Sequence, residues 1–184
     1  MNEPLKPVFD ILLPELEKSN INYWVYGGMS IAAYAGKFIR DNQDVDIFVR
    51  DTDFRNAKSV LDVLCEQNDF KLGFSSQMTG ERPKIEIKVN SVERFSMIPV
   101  YQSGSATTFK YRDGDQGYPN QILERVERNI SGFRFFTSSD EFIKEMFVNH
   151  IKARPDKKER DKIKRDAKAI LSLSELSALG WVVE

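Results

Sequence analysis

The chain of 184 residues has one cysteine, Cys65, and one histidine, His150. A single cysteine excludes an internal disulfide and fits a reducing compartment. Without further Cys or His, a zinc centre of the Cys/His type is not available. No apolar run approaches the ~20 residues that span a bilayer. The N-terminal stretch MNEPLKPVF has neither the basic start nor the apolar run of a signal peptide. These absences lead to the expectation of a cytoplasmic protein without a membrane partner. The balance of 41% hydrophobic and 30% charged residues is enough to build a core and keep its surface wet. Cys65 falls in the apolar pattern Val60, Leu61, Val63, Leu64 and reads as a core residue rather than a nucleophile.

What is present is concentrated between Tyr23 and Val49, YWVYGGMSIAAYAGKFIRDNQDVDIFV. An apolar run ends in Gly27-Gly28, a short helical pattern of small residues follows, and a second apolar run carries Asp44 and Asp46. Residues i and i+2 of a strand share a face. In a strand over 44–49, the two carboxylates project side by side while Val45 and Ile47 face the core. Carboxylates held that close repel each other and call for a cation, and a small set of hard oxygen ligands suits Mg²⁺. The Gly-Gly turn opens a helix whose first N–H groups can bind phosphate. A phosphate cradle beside paired carboxylates equips a protein for phosphoryl transfer from a nucleotide. The plainer reading is an edge strand with charges on its wet face and a simple glycine turn.

The order of these parts resembles the nucleotidyltransferase superfamily, which includes DNA polymerase beta, the lincosamide- and aminoglycoside-adenylating enzymes and the nucleotidyltransferases of toxin–antitoxin pairs. The matching residues are the apolar strand, Gly27-Gly28, and Arg40-Asp41-Asn42-Gln43-Asp44-Val45-Asp46. Asn42 stands where small members carry Thr, and Met29 where Ser is common, with Ser30 nearby. A looser match continues through Gly132–Ser138, Lys152-Ala153-Arg154, Arg160-Asp161 and Asp166–Leu171. The resemblance implies an α+β fold: a mixed sheet with helices packed on one face over residues 1–137, a C-terminal helical subdomain over 138–184, and a cleft between them. It implies Asp44, Asp46 and a third carboxylate as the catalytic and metal-binding set, for two Mg²⁺ ions. Glu86 is the candidate third acid, on the polar face of the alternating segment PKIEIKV, with Glu93 as its rival. Glu86 has the alternative reading of an exposed side chain paired with Lys84 or Lys88. The nucleoside triphosphate would meet Gly27, Gly28, Ser30, Arg40 and Lys152.

The implied activity is metal-dependent transfer of a nucleoside monophosphate from a nucleoside triphosphate to a hydroxyl, with release of pyrophosphate. The alternative is a catalytically inactive member serving as a nucleotide sensor or interaction module. The acceptor is open between an RNA or tRNA end, a small molecule and a protein hydroxyl, and the toxin-type likeness adds an antitoxin protein as a possible partner. Residues 150–168 hold nine Lys/Arg against four Asp/Glu, so the rest of the chain carries −6 against a net charge of −1. Such a segment can meet a polyanion, or it can be a solvated helix face with oppositely charged neighbours at helical spacing.

Overall fold

The computed structural model describes residues 2–75, 82–112, 114–158 and 160–181. Its frame is a mixed sheet. Strand β1 (Tyr23–Tyr26) lies antiparallel to β2 (Val45–Arg50), and β2 lies parallel to β5 (Val92–Ser103). Outward from β5 come β4 (Lys84–Val89) and β3 (Lys71–Ser75), both antiparallel to their neighbours. On the other side β1 pairs in parallel with β9 (Phe133–Thr137), which is edged by β8 (Val126–Ile130). The end of β5 runs on past β2 and pairs with a hairpin, β6 (Ala106–Tyr111) and β7 (Gly114–Pro119). The Ser-, Gly- and Asp-rich stretch 102–120, for which the sequence offers no clear period, is therefore mostly strand.

Period-two alternation sorts the strands onto two cores. Val45, Ile47 and Val49 of β2, Ile85 and Ile87 of β4, and Phe95 and Met97 of β5 are buried on one face. Helix α1 (Leu13–Lys18), α2 (Gly28–Ala35) and α3 (Asp51–Asn68) cover that face. The opposite face carries Trp24, Phe48, Ile98 and Val100 and is covered by Phe109 and Tyr118 of the hairpin and by Phe142 of α4 (Asp140–Ala153). Trp24 and Phe48 stack there at 5.3 Å between ring centres. A third cluster joins Ile31 of α2 to α4, α5 (Asp161–Ile170) and α6 (Leu173–Ala178). Among the described residues, no helix is long and apolar enough to cross a membrane.

Backbone chemistry decides several element boundaries. Ahead of β1 come a single 3₁₀ turn (Glu3–Leu5), a widened π turn (Val8–Leu12) and then α1. Leu13 N–H reaches back to the Val8 carbonyl. The wider turn accommodates Pro14, which has no N–H to give and whose ring crowds the preceding turn. Ser172 caps α6 through a reciprocal capping box with Glu175. Helix α5 begins at Asp161, after a short turn at Pro155–Lys157. Cys65 is buried in the first core, and burial pushes its thiol up to about 11, so it is no nucleophile.

Candidate active site

The site is built on the face of the sheet opposite α3. Asp46 sits in a lateral row: it pairs with Tyr26 of β1 on one side and Ser96 of β5 on the other, and Ser96 in turn pairs with Glu86 of β4. Ser96 donates its hydroxyl to Asp46 Oδ1 at 2.5 Å, and the Tyr26 and Ser96 hydroxyls share a hydrogen bond. Asp44 lies just before β2, close enough for its charge to act on Asp46. Burial, then the Asp44 charge, push the Asp46 carboxyl up to about 6, against the pull of the Ser96 hydroxyl and the Lys84 ammonium. Desolvation, followed by Asp46, also drives the Tyr26 phenol well above its ordinary range.

Gly27 and Gly28 form the turn between β1 and α2, and both are fixed by close approach. Gly27 has φ 68° and ψ −145°, a region open essentially to glycine alone. A Cβ on Gly27 would sit 3.0 Å from Asp46 Oδ2. A Cβ on Gly28 would collide with Arg40 Nη2 and Asn42 Oδ1. The glycines thus let the backbone press against the carboxylate strand on one side and the Arg40–Asp44 loop on the other. Ser30 is buried and donates its hydroxyl to the Gly27 carbonyl at 2.9 Å. Asn42 is buried too, and both ends of its side-chain amide lack a partner among the described residues.

A cavity of about 800 Å³ opens over this row. The Gly-Gly turn, the Arg40–Asp44 loop, Asp46 and Lys84 form its floor; Phe109, Tyr111 and Tyr118 of the hairpin form one wall; α4 and α5 form the other. Of the residues singled out in the sequence, Gly27, Gly28, Ser30, Arg40, Asp44 and Asp46 line this cavity. The structure does not bring Glu86 to the carboxylate pair. It lies two strands from Asp46, about 10 Å at the usual strand spacing, with Ser96 between. Its carboxylate pairs with Lys84 at 3.3 Å, and so does that of Glu93. Among the described residues, no group of three His, Cys, Asp or Glu side chains is arranged to hold a metal ion.

Arg40 is committed elsewhere as well. Its Nε and Nη2 donate to the two oxygens of Asp166, at 2.8 and 2.9 Å, and Asp166 is only 2% exposed. The fork ties the loop before β2 to α5. Lys152 is exposed and is not among the lining residues. Helical spacing explains this: Ile143, Phe147 and His150 share the face of α4 that lines the cavity, and Lys152 falls off it.

Two lining groups escaped the sequence reading. Lys84 shares the face of Glu86 by alternation, and so the face of Asp46. Burial works against its charge, yet Asp46, then Glu93 and Glu86, hold its ammonium above the ordinary range. Arg154 reaches the same cavity from the end of α4. The alternation of PKIEIKV carried the first signal; the second depends on where α4 ends.

The sequence profile of the aminoglycoside-2''-adenylyltransferase family matches residues 8–121, more than half of the chain. The chain belongs to this family. It is a nucleotidyltransferase, and the glycine turn and carboxylate pair just described both fall within the matched span. The crystal structure of ANT(2'')-Ia in complex with adenylyl-2''-tobramycin superimposes with a TM-score of 0.63 at 14% identity, over 96% of this chain and 94% of that one. The lincomycin-bound lincosamide adenylyltransferase LnuA gives 0.58 at 19% identity, over 90% and 97%. A nucleotidyltransferase-like protein from Paracoccidioides brasiliensis gives 0.50 at 22%, over 90% and 73%. These likenesses establish a shared fold. No curated protein sequence matches the chain.

The carboxylate pair fits a divalent cation. Asp46 is a half-buried carboxylate beside a second one, and Gly27 leaves space above Asp46 Oδ2 that a side chain would fill. Mg²⁺ commonly takes one or two protein carboxylates and completes its shell with substrate phosphate and water.

Proposed function

We propose that this protein transfers a nucleoside monophosphate from a nucleoside triphosphate to a hydroxyl group of a small molecule, with a divalent cation held by Asp44 and Asp46. The observation that carries this is Asp46 against Gly27: a half-buried carboxylate, beside Asp44, 3.0 Å from where the cradle turn would place a Cβ. In the reaction, the acceptor oxygen bonds to the α-phosphorus and the bond from that phosphorus to the bridging oxygen breaks. Pyrophosphate leaves with those electrons. A bound cation supplies charge neutralisation at the phosphates and lowers the pKa of a coordinated hydroxyl.

The chain's own groups do the positioning. The N–H groups at the start of α2, opened by Gly27 and Gly28, face the phosphates. Lys84 and Arg154 bring positive charge to the same cavity. The buried Asn42 amide packs against Gly28 and backs the cradle turn. Arg40 acts through Asp166, fixing the loop that carries Asp44. The acceptor's proton has the carboxylate pair as its nearest destination. The donor set supports one ion rather than two, because Glu86 and Glu93 are engaged by Lys84.

Calorimetry with Mg²⁺ and α,β-methylene-ATP tests the reading. Wild type should bind the nucleotide in a Mg²⁺-dependent manner. Asp44→Asn with Asp46→Asn should remove that dependence while the circular dichroism spectrum stays native. Equal, metal-independent affinity in the two proteins would refute the carboxylate site.

A further inference from the structure

The two oxygens of Asp46 have different surroundings. Oδ1 accepts the Ser96 hydroxyl at 2.5 Å. Oδ2 faces the cradle turn: a Cβ on Gly27 would meet it at 3.0 Å, whereas the Asp46 Cγ lies 3.9 Å away. One oxygen is therefore engaged within the sheet, and the other is turned toward the place where phosphates would sit.

The engagement of Oδ1 is itself supported. Ser96 is fully buried and has one proton to give. An ionised carboxylate can only accept, so that proton goes to Oδ1. Tyr26 shares a hydrogen bond with the same serine hydroxyl. With the serine proton committed, the phenol is the donor, and burial followed by the Asp46 charge keeps it protonated. Tyr26 of β1 and Ser96 of β5 flank β2 from opposite sides, so the phenol reaches across β2 to make this bond. Phe48, buried on the same face of β2, packs against the Tyr26 ring at 6.0 Å between centres. The outcome is a directed chain from Tyr26 to Ser96 to Asp46 Oδ1. The carboxylate cannot turn both oxygens to one ion without giving up a charge-assisted hydrogen bond.

We infer that Ser96, backed by Tyr26, is a positioning residue: it makes Asp46 a ligand through Oδ2 alone and so favours a small divalent cation over a large one. This role rests on the cation site of the proposed function. Mg²⁺ demands a near-octahedral shell at short distances, whereas Ca²⁺ accepts carboxylates that bind through both oxygens. Holding Oδ1 removes the two-oxygen mode. Ser96 lies directly opposite Asp46 on β5 and adds no charge of its own there.

The test is calorimetric titration of the full chain with α,β-methylene-ATP, with Mg²⁺ or Ca²⁺ as the only divalent cation. Wild type should bind the nucleotide more tightly with Mg²⁺. Ser96→Ala should weaken the Mg²⁺ complex by about tenfold or more, as loss of a hydrogen bond to a metal-binding carboxylate commonly does. The Ca²⁺ complex should stay within about twofold, so preference for Mg²⁺ falls by about tenfold. Ser96→Thr keeps the hydroxyl and should restore the wild-type preference. Tyr26→Phe removes the donor behind Ser96 and should shift the preference the same way by a smaller factor. It is the deciding variant if Ser96→Ala lacks a native circular dichroism spectrum. An unchanged preference in the deciding variant, or an equal fall with both cations, would overturn the inference, because a purely structural serine moves stability and not selectivity. A Ser96→Thr protein that behaves like Ser96→Ala would overturn it as well. Failure of the cation site shows separately, in wild type alone, as nucleotide affinity independent of either cation.

Discussion

Asp46→Asn should make the metal-free protein more stable at neutral pH while removing its metal response. In the folded protein, burial and then Asp44 hold the Asp46 carboxyl at about 6, whereas the unfolded chain titrates it in the ordinary carboxylate range near 4. Between those values the folded state binds the proton and the unfolded state does not. Stability therefore falls as pH rises from about 4 to about 6, and stays low above it. Two units at about 1.36 kcal/mol each give a cost on the order of 2–3 kcal/mol for the ionised group at pH 8. An asparagine carries no such cost. Its carbonyl can still accept from Ser96, and Lys84 keeps Glu86 and Glu93.

Urea unfolding in EDTA from pH 4 to pH 8 reads this directly. The wild-type curve should decline between about pH 4 and 6 relative to Asp46→Asn, and the variant should lead by about 2–3 kcal/mol at pH 8. Adding Mg²⁺ with α,β-methylene-ATP at about 100 times the dissociation constant should return about 2.7 kcal/mol to wild type and nothing to the variant. A variant less stable than wild type at pH 8 in EDTA would refute the reasoning, since Asp46 would then be a net stabilising charge in the empty site.

Further substitutions test other parts of the site. Gly27→Ala should cost about 1–3 kcal/mol in thermal unfolding, from its backbone angles and its approach to Asp46, and should abolish nucleotide binding by calorimetry. Arg40→Ala should destabilise by about 3–5 kcal/mol, because it strands the Asp166 carboxylate, 2% exposed, without its partner; Asp166→Asn in the same background should recover part of that loss in denaturant titrations. Lys84→Gln should raise the Asp46 midpoint further above 6, seen as a shift of the pH–stability profile toward higher pH. Ser172→Ala should cost about 1 kcal/mol through loss of the α6 cap, read as a lower thermal midpoint with nucleotide affinity unchanged.

How much of this was legible in the sequence depends on the range of the interaction concerned. Asp44 and Asp46 beside Gly27-Gly28 were readable because strand alternation and glycine geometry are local rules. Glu86 was placed on the correct face by the same rule, but a face has width. Which strands flank β2 is a matter of sheet order, and that order puts Ser96 of β5, not Glu86 of β4, opposite Asp46. The hairpin of β6 and β7 was hidden because its residues, Thr107, Thr108, Gly117 and Gln116 among them, lack the apolar alternation that marks a strand. Its register is set instead by pairing with the overhang of β5.

The same distinction explains the cations. Lys152 and Arg154 are two residues apart, and the end of α4 between them decides which meets the cavity: Lys152 is still on the helix, and Arg154 is the non-helical residue that closes it. Arg40 and Asp166 are 126 residues apart, and each alone reads as an ordinary surface charge. Their bidentate pair gives the C-terminal helices a fixed place over the carboxylate strand, and it removes Arg40 from the charges available to a triphosphate. Lys84 remains on the floor beside Asp46, and Arg154 on the wall above it. On β4 the group that meets the cavity floor is Lys84, held by Glu86 of the same strand and Glu93 of β5.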